Sequence, residues 1–129
     1  MKLTLAGLAV VLLIAAVPAP AHHSFQAEFD ANQPITLKGV VSKVDWRNPH
    51  INLTLEVKGA DSKTETWQIE GPPPSFFRIR DVGKADFEGA IGKMVTAEAS
   101  RARDKSPSGL MRIITLPGGK VVSACPQNC

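Results

Sequence analysis

Tyrosine is absent from the 129 residues, and tryptophan occurs twice. Surfaces that bind single-stranded nucleic acid stack bases on exposed aromatic rings beside basic grooves. Here both candidates, Trp46 and Trp67, fall on inward strand positions. A large charge of one sign is also missing: fifteen Lys and Arg against twelve Asp and Glu leave a net charge of +3. That is modest beside the basic excess usual in a nucleic-acid binder, so no nucleic acid is expected as a partner. Cysteine is scarce, with Cys125 and Cys129 both within the last five residues. A disulfide between them would close a small loop and constrain the tail alone. Free thiolates at this spacing would instead suit Cu(I), and the spacing does not decide between the two. Compositional bias is lacking as well. With 43% apolar and 21% charged residues the chain resembles an ordinary globular protein, which excludes wholesale disorder. Its length leaves room for one domain.

Long hydrophobic runs are missing, with one exception. After Met1-Lys2, the stretch Leu3 to Val17 is 15 residues without a charge. A membrane span needs about 20 residues, and Pro18 and Pro20 would stop a helix. Ala19-x-Ala21 has the small-residue pattern of a signal-peptidase site. Residues 1–21 therefore read as a signal peptide cleaved after Ala21, and the alternative is an uncleaved anchor helix. The expected product is periplasmic or secreted, begins His22-His23-Ser24-Phe25, and has no membrane attachment once cleaved.

Proline and glycine are abundant, with ten of each, and punctuate the remainder into short strands. Residues 22–34 read as an N-terminal arm with Phe25 and Phe29 as anchors. Pro34 opens the first strand, in which Ile35 and Leu37 are odd-numbered apolar positions but Val40, Val44 and Trp46 are even-numbered. The face is expected to switch near Gly39 through a bulge. After the Arg47-Asn48-Pro49 turn, Ile51, Leu53, Leu55 and Val57 alternate with polar residues, the pattern of a half-buried strand. Thr64 to Glu70 is a third strand, with Trp67 and Ile69 inward. Ser75 caps a short helix over Phe76 to Arg80. Lys93 to Ser100 and Leu110 to Leu116 are the fourth and fifth strands, and Lys120 to Val122 is a short extension. Three strands, a helix and two strands, with a kinked first strand, is the order of a five-stranded OB-like β-barrel. The expected fold is thus all-β: a barrel over 35–122 with one short helix between strands three and four, and a tail at 123–129. Another small antiparallel barrel or sandwich is the alternative.

His22-His23-Ser24-Phe25, Phe29-Asp30, Gly39-x-Val41, Trp46-x-Asn48-Pro49-His50, Trp67-x-x-Glu70 and Leu116-Pro117-x-Gly119 together resemble a family of small exported bacterial proteins catalogued as a domain of unknown function. The resemblance covers nearly all of 22–122. Gly92-Lys93 stands where that pattern has a Gly-Asp turn, and the terminal cysteines lie outside it. The resemblance implies an exported location and no activity.

All three histidines lie in those elements. His22, once terminal, would offer an amine and an imidazole on one residue, with reference pKa values of about 8 and about 6.5, so neutral ligands exist near pH 7. His23 adds a second imidazole and His50 a third. Nitrogen ligands in a tetragonal set suit Cu(II), so the expected ligand is a metal, copper first, held by His22, His23 and His50. The arrangement resembles the N-terminal histidines of copper oxygenases and periplasmic copper carriers. Ser24 occupies the third position, so the common amino-terminal copper motif with histidine there is absent. An ordinary flexible terminus and a surface histidine are the competing reading.

Catalytic constellations are absent. Ser24 beside His23 is not a nucleophile–base pair with an orienting third group. Asp30, Asp45, Glu56 and Glu70 are scattered through the sequence. Arg78, Arg80, Arg101 and Arg103, with Lys105 and Arg112, would form a basic patch. The expected function is therefore a binding module rather than an enzyme. The alternative is an interaction module that docks a partner protein or an anionic small ligand on the barrel face.

Overall fold

The computed structural model describes residues 24–125; His22, His23 and Cys129 lie outside them. The described chain is mostly β. A helical turn, α1 (Phe25–Glu28), leads into β1 (Phe29–Asp45), β2 (Asn52–Lys58) and β3 (Thr64–Glu70). Two short helices follow, α2 (Pro74–Arg78) and α3 (Lys84–Glu88), then β4 (Met94–Ala102), β5 (Ser108–Thr115) and β6 (Val121–Ser123). None of the described helices is long and apolar enough to cross a membrane.

The strand pairings run in a circuit. β1 pairs antiparallel with β4 from Phe29 to Val40 and with β2 from Gly39 to Asp45. β2 pairs with β3, and β4 with β5, both antiparallel. β3 then runs parallel to β5 through Gln68–Ser108, Ile69–Gly109 and Glu70–Leu110. β6 adds to the far half of β5, at Ile113 to Thr115.

β1 is long enough to serve two neighbours because it changes face once. Ile35, Leu37 and Val41 pack toward the core; after a register shift between Val41 and Lys43, Val44 and Trp46 do so. The extra residue is Ser42, whose hydroxyl donates to Thr54 O at 3.3 Å. The switch thus falls at Ser42 rather than at Gly39, and Val41 rather than Val40 is the buried valine. Gly39 has a different task. A Cβ there would stand 2.9 Å from Val57 Cγ2 and 3.0 Å from Glu56 O, so the approach of β2 leaves no room for a side chain.

The core is lined by the inward residues of each strand. Ile51, Leu53, Leu55 and Ile69 are fully buried, with Trp67, Val95, Ala97, Ala99, Met111 and Ile114 around them. Each large apolar side chain removed from water contributes about 1.5–3 kcal/mol before entropy is counted. One end of the core is closed by rings: Trp46, Phe77 and Phe87 meet with centroids 5.1–5.6 Å apart.

Several expected boundaries move. β1 begins at Phe29, inside the segment read as an arm, because Phe29 and Asp30 already pair with Ala102 and Arg101. α2 is capped by Pro73 with Pro74 at its first position, where a missing N–H costs nothing, rather than by Ser75. α3 lies outside the expected single helix; five residues are too few to display a helical period. β4 and β5 both extend beyond the expected strands toward the 103–107 loop, and β6 is a sixth strand where a bare extension was expected.

Candidate functional site around His50

His50 follows a cis Asn48–Pro49 peptide and leads into β2. Asn52 is opposite Glu70 in the β2–β3 ladder. A residue two before Asn52 points to the same side of the chain, so His50 overhangs the end of the ladder above Glu70. The contact is short: His50 Nδ1 lies 2.7 Å from Glu70 Oε1, with the two side chains 33% and 23% exposed. Glu70 is itself held on both sides, by Asn52 on β2 and by Leu110 on β5.

The Glu70 carboxyl is pushed above its ordinary range. Burial is the main cause and the negative charge of Glu28 adds to it, while His50 pulls the other way. Beside it, Asn52 Oδ1 is buried with no hydrogen-bond partner.

The arm comes to this place. Phe25, at the start of α1, sets its ring against His50 with centroids 4.6 Å apart. α1 is tied down from the turn after β4. Arg103 N donates to Glu28 O at 2.9 Å, its Nε donates to Gln26 O at 2.9 Å, and its guanidinium lies 3.4 Å from Asp30. Phe29 is buried where the arm becomes strand. Both expected anchors thus have a place, although on different partners. An apolar groove of about 360 Å³ lies alongside, with Phe25, Ala31, Pro72, Phe76, Leu110 and Met111 among its walls.

Of the three expected metal ligands, only His50 is among the described residues. No group of three or more His, Cys, Asp or Glu that could hold a metal occurs among the described residues. Cys125 is disulfide-bonded, which leaves no thiolate there for Cu(I). The four arginines of the expected patch are mostly engaged within the chain. Arg80 stacks 3.7 Å from the Phe76 centroid and donates to Phe76 O. Arg101 lies 5.7 Å over Trp67 and donates to Lys105 O. Arg103 holds the arm. Arg78 is exposed on α2. Arg78 and Arg80 lie at the end of α2 and just after it, Arg101 in β4 and Arg103 in the turn that follows.

Sequence reasoning missed Glu70 as the partner of His50. The signal was present in the β2–β3 hairpin: once its register is set, Glu70 faces Asn52 and lies within reach of a histidine two residues earlier.

The family model described as "Family of unknown function (DUF6152)" matches residues 9–112. No curated protein matches. No solved structure matches either.

Proposed function

The chain belongs to this family of unknown function, which supplies no activity, and we propose from its own residues that it is an exported metal-binding module. In this reading residues 1–21 are a signal peptide and the product is periplasmic or secreted. In the same reading residues 35–122 form an OB-like barrel, which the pairing circuit β1–β2–β3–β5–β4 and back to β1 supports, with helices between β3 and β4 and β6 as an addition. The metal is copper first, held by the His22 amine and imidazole, the His23 imidazole and His50.

The observation that carries the reading is the contact of Phe25 with His50. It brings the chain, two residues after His23, onto the ring expected to complete the set. The docking alternative draws less support, because Arg80, Arg101 and Arg103 already serve Phe76, Trp67 and the arm.

The test is Cu(II) titration of two proteins that both begin at His22, one of them acetylated at the His22 amine. Acetylation removes the terminal amine, keeps every side chain and leaves Ser24 at the third position. The expected result is at least about tenfold weaker binding by the acetylated chain, or about 1.4 kcal/mol. His50→Ala should weaken binding as well. Affinity should fall with acidification through the imidazole range, where protons compete for the ligands. Equal weak binding by both chains would overturn the metal site and favour the interaction module.

A further inference from the structure

We infer that Glu70 is a positioning residue that fixes His50 as an Nε2 donor, with Phe25 as the seat on the other side of the ring. The inference rests on the metal-binding reading above and adds the part of the site that lies within the barrel.

An imidazole presents one of two nitrogens to a ligand, and it is useful as a donor only if ring angle and tautomer are settled. Here Nδ1 is 2.7 Å from a carboxylate oxygen. A carboxylate only accepts, so the hydrogen of a neutral ring resides on Nδ1 and the lone pair on Nε2. Histidines that bind metal commonly donate their second nitrogen to a carboxylate in this way, which sets the tautomer and raises ligand basicity.

The support is rigid. Glu70 ends β3 and is paired through its backbone with Asn52 on one side and Leu110 on the other. His50 cannot swing away without breaking its partly buried contact with Glu70 and leaving the Phe25 ring. Glu28 contributes negative charge at Glu70 from the arm.

Two measurements separate this inference from the reading beneath it. The first uses the metal-free protein: two-bond ¹H–¹⁵N NMR correlations of His50 at a pH where the ring is neutral. The Nδ1–H form is expected in the wild type and in Glu70→Gln, whose amide oxygen still accepts. Glu70→Ala is expected to move His50 toward the Nε2–H form that free histidine prefers. A purely structural role for Glu70 would not move the tautomer. An Nε2–H ring in the wild type, or no change in Glu70→Ala, overturns the inference. The wild-type tautomer keeps the test decisive should the Ala variant fail to fold, since an Nε2–H ring there overturns the inference by itself.

The second measurement is Cu(II) titration of the chain beginning at His22. Glu70→Ala should bind about 10- to 100-fold more weakly, the usual effect of losing such a carboxylate, and Glu70→Gln should recover most of that loss. Tight binding by the wild type with an equal affinity in Glu70→Ala overturns the positioning role alone. No copper binding by a wild type that holds the Nδ1–H ring overturns the metal reading and leaves the positioning of His50 established.

Discussion

Leu53 and Asn52 are neighbours in β2 with opposite obligations. Leu53 is fully buried among Ile51, Leu55 and Ile69, whereas Asn52 lies on the outer face with an unpartnered oxygen. Leu53→Ala should cost about 2–5 kcal/mol through lost burial and the cavity left behind. Asn52→Ala should cost far less, and it removes an acceptor that already lacks its bond. Urea denaturation of the two variants checks this; similar losses would mean that the face assignment is wrong. The alternation that separates these residues was legible in the sequence because β2 is regular. In β1 it was legible only up to the bulge: Gly39 draws attention as the expected site of a kink, but a glycine required by the close approach of β2 looks the same in sequence as one required by a bulge. Val41, not Val40, should therefore be the more costly valine to truncate.

Arg103 decides whether α1 behaves as an element or as a loose end. A four-residue turn cannot hold itself, since helix nucleation fixes several residues for the first hydrogen bond. Arg103 supplies the missing hold through Gln26 O and Asp30. Arg103→Ala should leave global stability within about 1 kcal/mol, because half of the Arg103 side chain stays in solvent. It should nevertheless speed hydrogen exchange at the Ala27 amide, which donates to Ser24 O, and weaken Cu(II) binding. In the sequence Arg103 was one basic residue of a run. That it serves the arm depends on a contact 77 residues away, which no local pattern encodes.

α3 has a different dependence, on acid. The Asp86 carboxylate accepts from Gly83 N at 2.8 Å and meets Lys120 Nζ at 2.9 Å, and these hold its carboxyl below the usual range, the Gly83 amide first. A carboxyl lowered on folding stabilises the native state fully above its unfolded pKa of about 3.9, and that stability is lost as pH falls through the folded value. Asp86→Asn should therefore lose stability near pH 7, and its Tm should decline less than that of the wild type below about pH 4. Parallel melting curves in the two variants would remove Asp86 from the acid response.

At the scale of the whole molecule, the pairing circuit is only as continuous as its shortest joint. β2 and β3 are matched along seven residue pairs and β1 and β4 along nine, but β3 and β5 along three. The short joint is also the parallel one, and parallel pairing is slightly weaker per residue. The order of strands could be read from turn residues and alternation. This joint could not, because it links segments that are separated by both helices and β4 and share no hairpin. Its position bears on the site, since Glu70 is one of its three residues on β3 and is also the partner of His50. Opening of the joint would carry Glu70 away from the ring, so anything that holds His50 in place should hold the joint closed. The Gln68 amide, which donates to Pro107 O at 3.0 Å, reports on it. In native-state hydrogen exchange Gln68 should exchange faster than Leu55, which lies in the middle of the longer β2–β3 ladder. Saturating Cu(II) on the chain beginning at His22 should slow both amides, Leu55 because global unfolding releases the metal and Gln68 because opening of the joint does, since a ligand stabilises whichever state binds it. Slowing at Leu55 with Gln68 unchanged would mean that the joint opens without disturbing the site, and that the site and the circuit are not locally coupled.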